Sequence, residues 1–259
     1  MAYLGPGGAG MSTVMGMPIG IVMGSQGGAA GFTPTSLFAA SEKGAWYDPS
    51  DLGSVWADTA ATTPATVNGA VARINDKSAN GNHAIQATAA NRPILRQSGA
   101  LYYLEFDGVN DFLTVAFVLP QPISRVAGIR QVTWLSGAWV MGGGSGVTAG
   151  LFQTVGTPNL ALYDGATAAI NSGAAVSADV VTTEVHNGAG SSLTVDAGTA
   201  TTGNPGAGVP GGITLGNDPT GGSPSSVRIY AVTAIDRLLA APEQAKLLTW
   251  TAAKQGRTL

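Results

Sequence analysis

The stretch LYYLEFDGVNDFLTVAFVL, residues 101–119, decides the fold class of this chain. Large apolar side chains alternate with polar or small ones on both sides of a short acidic turn. The alternating apolar positions are Tyr102, Leu104, Phe106, Leu113, Val115, Phe117 and Leu119. A period of two places each set on one face of a β-sheet. Gly108 and Asn110 supply the backbone freedom that a short connection needs, so the stretch predicts a β-hairpin.

The regions around this stretch continue the β pattern. Short apolar segments are separated by glycine-rich turns, without intervening helices, which favours a sandwich or jelly roll over a parallel α/β sheet. Ala45–Tyr47 and Val71–Ile74 are predicted strands upstream. The predicted strands downstream are Ala127–Val132, Trp134–Met141, Leu151–Val155, Asn159–Tyr163, Val176–His186, Ser192–Val195, Ile213–Leu215 and Val227–Ile235.

Two helices are predicted, a short one at Thr35–Ser41 and a longer one near the C-terminus. Pro242 suits its first turn and Glu243 its positive end, while Lys254 lies near the negative end and Gly256 is the expected stop. Trp250 belongs to its apolar stripe and is predicted to be a core residue.

The composition limits the classes of function. With 259 residues the chain has room for one large β domain. Only 10% of residues are charged and the net charge is −3, so no nucleic-acid partner is predicted. The absence of cysteine excludes disulfides and thiolate metal sites.

Residues 1–31 form an uncharged segment rich in glycine and methionine. We predict an extended N-terminal arm that docks on a neighbouring subunit, with a disordered terminus as the alternative. The apolar run Met15–Met23 is short and interrupted, so no membrane insertion is predicted. The predicted domains are therefore this arm and a β domain over residues 32–259.

Three blocks together resemble the concanavalin A-like (laminin-G-like) jelly roll, in the form common in phage virion proteins. They are WYDPSD (46–51) with DKSANGNHAIQAT (76–88), YLEFDGVNDFL (103–113), and VRIYAVTAIDRLLAAPEQAKLLTWTAAKQG (227–256). The resemblance implies an all-β, antiparallel two-sheet jelly-roll sandwich with one C-terminal helix. It also implies a phage tail fibre, spike or head decoration, frequently with carbohydrate binding.

The leading functional prediction is therefore a non-enzymatic phage structural protein located in the virion. It docks on other virion proteins through residues 1–31, works as a homo-oligomer and binds host surface polysaccharide. A purely architectural capsid or tail component without glycan binding is the first alternative, and a polysaccharide hydrolase is the second.

The acidic turn that ends the first predicted strand suggests two kinds of chemistry, glycoside hydrolysis and calcium binding. The glucanase branch of the resembled fold uses Glu-x-Asp-x-x-Glu, and here Glu105 and Asp107 supply only the first two carboxylates. No catalytic residue is therefore predicted. Asp107, Asn110 and Asp111 offer oxygen ligands for calcium, but local Asx-turn bonding is favoured, so no cofactor is expected.

The candidate glycan-binding residues are one tryptophan and three polar side chains of a loop. Trp56, in a polar stretch, is the candidate for stacking on a sugar ring. Asn80, Asn82 and His83 are the polar candidates. The simpler interpretation of His83 is a hydrogen bond that closes the DKSANGN loop.

Overall fold

The computed structural model describes residues 1–2, 31–144, 149–165, 168–171 and 174–259. The predicted arm lies almost entirely outside these ranges, so its docking role and the boundary at residue 31 remain predictions. Within the described residues, no helix is long and apolar enough to cross a membrane.

The described residues form mainly β-strands, with one α-helix. The strands are β1 Gly44–Tyr47, β2 Val55–Trp56, β3 Arg73–Ile74, β4 Ala84–Ile85, β5 Ile94–Ser98, β6 Leu101–Asp107, β7 Leu113–Ala116, β8 Ile123–Thr133, β9 Trp139–Gly142, β10 Gly150–Gln153, β11 Leu160–Tyr163, β12 Ala168–Asn171, β13 Asp179–His186, β14 Ser191–Val195, β15 Thr201–Gly203, β16 Gly212–Leu215 and β17 Ser226–Ile235. The helix α1 is Ala241–Ala253, and single 3-10 turns occur at Pro34–Phe38, Leu52–Ser54, Ala89–Asn91 and Gly188–Gly190.

Two antiparallel sheets contain these strands. Sheet A has the order β15-β14-β13-β8-β17-β6-β5, with β1 paired to the same edge of β17 as β6. Sheet B has the order β12-β11-β10-β9-β16-β7-β4-β3-β2. The predicted all-β two-sheet sandwich with a C-terminal helix is thus confirmed.

The core lies in two layers because successive residues of a strand point to opposite faces. Ala127 and Ile129 of β8 belong to the large cluster between the two sheets. Val126 points the other way, into a smaller cluster under α1 that includes Leu247 and Ala252. Sheet A is therefore covered on both faces, by sheet B and by the helix.

The predicted hairpin over residues 101–119 is wrong. Strand β6 lies in sheet A, whereas β7 lies in sheet B, so the acidic turn carries the chain between the sheets. Gly108 has φ +79°, and a Cβ there would lie 2.7 Å from Leu135 Cδ1. The hairpin in this region is β5–β6, which turns at Gly99 with φ +60°.

The predicted strand Trp134–Met141 is too long. The segment that precedes Trp139 is a loop, in which Ala138 N donates to Leu135 O at 3.0 Å. The short helix predicted near residue 35 is a 3-10 turn. The predicted C-terminal α-helix is confirmed; it ends at Ala253, and the turn that follows it ends at Gly256, where φ is +70°. Trp250 is half-buried and packs edge-on against Trp46, with 5.7 Å between ring centroids.

Candidate functional site

The loop between β3 and β4 is organised by one buried carboxylate, Asp76. Its Oδ1 accepts hydrogen bonds from the backbone nitrogens of Trp46 (2.9 Å) and Ser78 (2.8 Å). Its Oδ2 accepts from Ser78 Oγ (2.8 Å) and from the backbone nitrogen of Asn82 (3.0 Å). Because four donors converge on one side chain, the loop is fixed against the start of sheet A.

The carbonyl oxygen of Gly44 holds the same loop from the other side. It accepts hydrogen bonds from Asn82 Nδ2 (2.7 Å), Asn80 Nδ2 (3.3 Å) and Ser78 Oγ (3.4 Å). Gly44 itself has φ +149°, and a Cβ there would lie 2.0 Å from Ala234 O. The two amide nitrogens are thus committed to backbone, whereas neither amide oxygen has a hydrogen-bond partner among the described residues.

These asparagines border a cleft of about 290 Å³, which we call the amide cleft. It is lined by Lys43, Asn80, Asn82, Phe117 and Val118. Phe117 packs against the core on one side, and its backbone nitrogen donates to Gly211 O at 3.1 Å. Val118 is 67% exposed. The cleft therefore combines an apolar wall, two amide side chains and one cation.

His83 faces the loop. Its Nδ1 accepts a hydrogen bond from the backbone nitrogen of Asp76 at 3.0 Å, which confirms the predicted closure of the loop. Desolvation, and then the positive charge of Arg73, lower the pKa of His83. A neutral ring is what an accepting Nδ1 requires. His83 thus helps to hold the loop that carries Asn80 and Asn82, and a direct contact with glycan remains a prediction.

Trp56 lies apart from the cleft. It ends β2 at one edge of sheet B, opposite Arg73, and its Nε1 is buried without a hydrogen-bond partner among the described residues. The structure therefore brings two of the four predicted glycan-binding residues, Asn80 and Asn82, into one cleft and leaves Trp56 elsewhere.

The candidate calcium ligands bond mainly to local backbone. Asp107 Oδ1 accepts from the backbone nitrogens of Val109 (2.7 Å) and Asn110 (3.3 Å). Asp111 Oδ2 accepts from the backbone nitrogen of Asp107 at 3.1 Å. Burial, together with the charge of Asp107, raises the pKa of Asp111 to about 6. In the described part of the chain, no group of three acidic, histidine or cysteine side chains is placed to hold a metal ion.

A second cleft, of about 250 Å³, adjoins this turn. Its lining includes Gly108, Leu135, Ser223 and Pro224. Gly108 follows Asp107 directly in the chain, but Asp107 and Asp111 do not line this cleft.

Glu105 is held by two arginines on the face of β6 that points away from sheet B. Its carboxylate accepts from Arg96 Nε (2.8 Å) and Arg228 Nε (3.1 Å). The Arg228 guanidinium also lies 4.8 Å from the centre of the Tyr103 ring. Both carboxylate oxygens are therefore occupied by structural ion pairs.

A buried chain of charged groups, which sequence reasoning missed, joins the two sheets. Arg125 of β8 donates through Nε to Glu184 of β13 at 2.9 Å, and its Nη2 contacts the same carboxylate. His186 Nε2 lies 3.5 Å from Glu184 Oε2, and its Nδ1 lies 2.9 Å from Oδ1 of Asp164. All four side chains are almost fully buried.

The charges of this network stabilise one another. Burial opposes ionisation of Glu184, but the Arg125 charge and the hydrogen bond from His186 outweigh it and hold the pKa of Glu184 below its usual value. Burial alone would lower the pKa of His186, but hydrogen bonds to Asp164 and Glu184 raise it. The sequence did contain a signal for their burial. Glu184 and His186 occupy the same alternate positions of β13 as Val180, which faces the core.

No protein-family model and no curated protein matches this chain. Solved structures do match. Trypanosoma rangeli sialidase in complex with sialic acid has a TM-score of 0.54 at 19% identity, and the match covers 81% of this chain and 33% of the sialidase. A GH54 α-L-arabinofuranosidase has a TM-score of 0.54 at 15% identity, over 73% of this chain and 52% of that enzyme. The likeness shows the fold.

These matches correct two predictions. The phage virion structural role and the absence of an enzyme activity are both contradicted, because these two matching folds come from glycosidases. The second alternative, a polysaccharide hydrolase, names the same class of enzyme as these two structures. This chain spans about a third of the sialidase and about half of the arabinofuranosidase, so the activity of those whole proteins reaches this chain only as a proposal.

Proposed function

We propose that this chain is a carbohydrate-active β-sandwich that binds a saccharide in the amide cleft. The observation that carries the proposal is the pairing of an apolar wall, Phe117 and Val118, with the two unpartnered amide oxygens of Asn80 and Asn82. A sugar ring has an apolar C–H face and hydroxyl donors at its edge. Sites for small ligands combine mostly apolar walls with a few fixed polar groups in this way.

The fold supports the same class of ligand. The matching structures are a sialidase in complex with sialic acid and an arabinofuranosidase soaked with 4-nitrophenyl α-L-arabinofuranoside. Both proteins act on sugars, and the part that matches this chain is a sandwich of the same kind. Fold alone does not fix function, so the cleft residues carry the argument.

Filling the cleft tests the proposal. Val118→Trp places a large side chain at the mouth of the cleft, where it competes with the ligand for space. We therefore expect the saccharide affinity to fall about tenfold or more, and tenfold corresponds to ~1.4 kcal/mol of binding free energy. The measurement is isothermal titration calorimetry of the full chain with the best ligand from a glycan array. Val155→Trp is the matched control, because Val155 is 79% exposed and lines neither cleft. Equal affinity of the two variants would count against the proposal.

We also propose glycoside hydrolysis as a second candidate function, at Asp107 and Asp111. Asp111 Oδ2 accepts from the Asp107 backbone nitrogen at 3.1 Å, and burial with the charge of Asp107 raises the pKa of Asp111 to about 6, so a carboxyl that can hold a proton adjoins a second carboxylate. Asp111 would donate a proton to the glycosidic oxygen as its bond to the anomeric carbon breaks. Asp107 would take a proton from the water whose oxygen bonds to that carbon.

Hydrolysis predicts a defined pH profile. Asp111 must be protonated to act as the acid, so reducing-sugar release should decline as pH rises through about 6. Asp111→Asn should abolish release, whereas Glu105→Gln should not, because Glu105 is occupied by two arginines. Release that persists in Asp111→Asn would rule out this assignment.

A further inference from the structure

We infer that the amide cleft prefers sugars that carry a carboxylate, and that Lys43 is the residue that selects them. This inference rests on saccharide binding in the cleft and adds the chemical class of the ligand. It starts from the distribution of positive charge in the protein.

All twelve Lys and Arg side chains lie in the described ranges, and ten of them donate to an acceptor there. Eight form ion pairs with carboxylates: Lys77, Arg96, Arg125, Arg130, Arg228, Arg237, Lys254 and Arg257. Arg73 and Arg92 donate to uncharged oxygens. Lys43 and Lys246 make no side-chain hydrogen bond or ion pair in the described residues, although the charge of Lys246 acts on Glu243. Both side chains are exposed; Lys246 lies on α1, whereas Lys43 lines the amide cleft.

The carboxylates beside Lys43 in the structure are engaged elsewhere. Glu42 accepts from Arg237 Nε at 3.3 Å and from the backbone nitrogen of Ala40 at 2.8 Å. Asp236 accepts from the backbone nitrogen of Lys43 at 2.8 Å, and its carboxylate makes no ion pair with the Lys43 ammonium. The cleft thus holds one positive charge that no protein group neutralises by direct contact.

The arrangement of donors and acceptors fits an acidic sugar. The free oxygens of Asn80 and Asn82 accept hydrogen bonds, so they suit hydroxyl groups and not a carboxylate. Lys43 donates and is cationic, so it suits a carboxylate. A ring with hydroxyls on one edge and a carboxylate on another satisfies both. The net charge of −3 gives no general attraction for anions, so the preference has to come from this contact.

The test compares acidic oligosaccharides with their neutral counterparts. The probes are trigalacturonate against galactotriose, triglucuronate against glucotriose, and sialyllactose against lactose, each titrated calorimetrically into the full chain. We expect the acidic member of the bound pair to bind about tenfold more tightly, the size of one charge-assisted hydrogen bond. Lys43→Met should remove that preference, Lys43→Arg should keep it, and Lys246→Met is the matched control that should also keep it.

The outcomes separate this inference from the function on which it rests. If the ratio of the affinities for the acidic and the neutral probe is unchanged in Lys43→Met, Lys43 does not select the acidic sugar. Equal binding of both members, with affinity still lost in Val118→Trp, overturns the acidic preference but leaves saccharide binding intact. No binding to any probe or array saccharide overturns both.

Discussion

Replacing Arg125 with methionine is expected to lower the free energy of unfolding by about 3–5 kcal/mol, the range for breaking a buried ion pair at one partner. The side chains of Arg125 and Glu184 are 3% and 0% exposed. Methionine fills part of the volume but leaves the Glu184 carboxylate buried, with His186 and the Thr182 hydroxyl as its remaining polar neighbours. Urea denaturation of the purified full chain measures the change.

Arg130→Met is the matched control for this prediction. Arg130 lies on the same strand and pairs with Asp179 on the same neighbour, at 3.4 Å, but both side chains are partly exposed. Removal of such a surface pair costs about 0–1 kcal/mol. The double variant Arg125→Met with Glu184→Gln should recover part of the lost free energy of unfolding, since no buried carboxylate then lacks its arginine. If Arg125→Met costs no more than Arg130→Met, the buried network does not stabilise the fold.

Replacing Asp76 with alanine is expected to lower the free energy of unfolding by about 2–4 kcal/mol, because hydrogen bonds to a charged group contribute about 1.5–3 kcal/mol and buried donors lose their acceptor. Four donors converge on this carboxylate, including the backbone nitrogens of Trp46 and Asn82. Asn80 and Asn82 lose their fixed positions with the loop. Saccharide binding should therefore fall together with stability, and calorimetry and urea denaturation measure the two effects.

Asp58→Ala is the control for Asp76→Ala. It removes a carboxylate that accepts several hydrogen bonds but does not hold the loop of the amide cleft. Asp58 also accepts from three donors, on Thr62 and Thr63, but it lies in a surface loop away from the amide cleft. We expect its replacement to leave saccharide affinity unchanged. Asp76→Ala protein that keeps full affinity would show that the loop does not position the ligand.

The sequence predicted the fold class because alternation is a local property. Residues 101–107 bury Leu104 and Phe106 as the period of two requires. Alternation does not encode the neighbour with which a strand pairs, so the same pattern suggested a hairpin where β6 and β7 belong to different sheets. A short acidic turn suits a crossing between sheets as well as a hairpin.

The candidate site was predictable only where its residues are close in sequence. Asn80 and Asn82 stood out in the DKSANGN loop, but the same cleft is also lined by Lys43, which precedes β1, and by Phe117, which follows β7. The buried network was missed for the same reason. Asp164 follows a strand of sheet B and His186 ends a strand of sheet A, so only sheet packing brings them together.

The most direct test of saccharide binding in the amide cleft is an NMR titration of the ¹⁵N-labelled full chain with the best array ligand. The account predicts that the side-chain amide signals of Asn80 and Asn82 and the backbone signals of Phe117 and Val118 shift in a saturable way. Shifts confined to other parts of the chain, such as the contacting rings of Trp139, Phe152 and Tyr163, would contradict it.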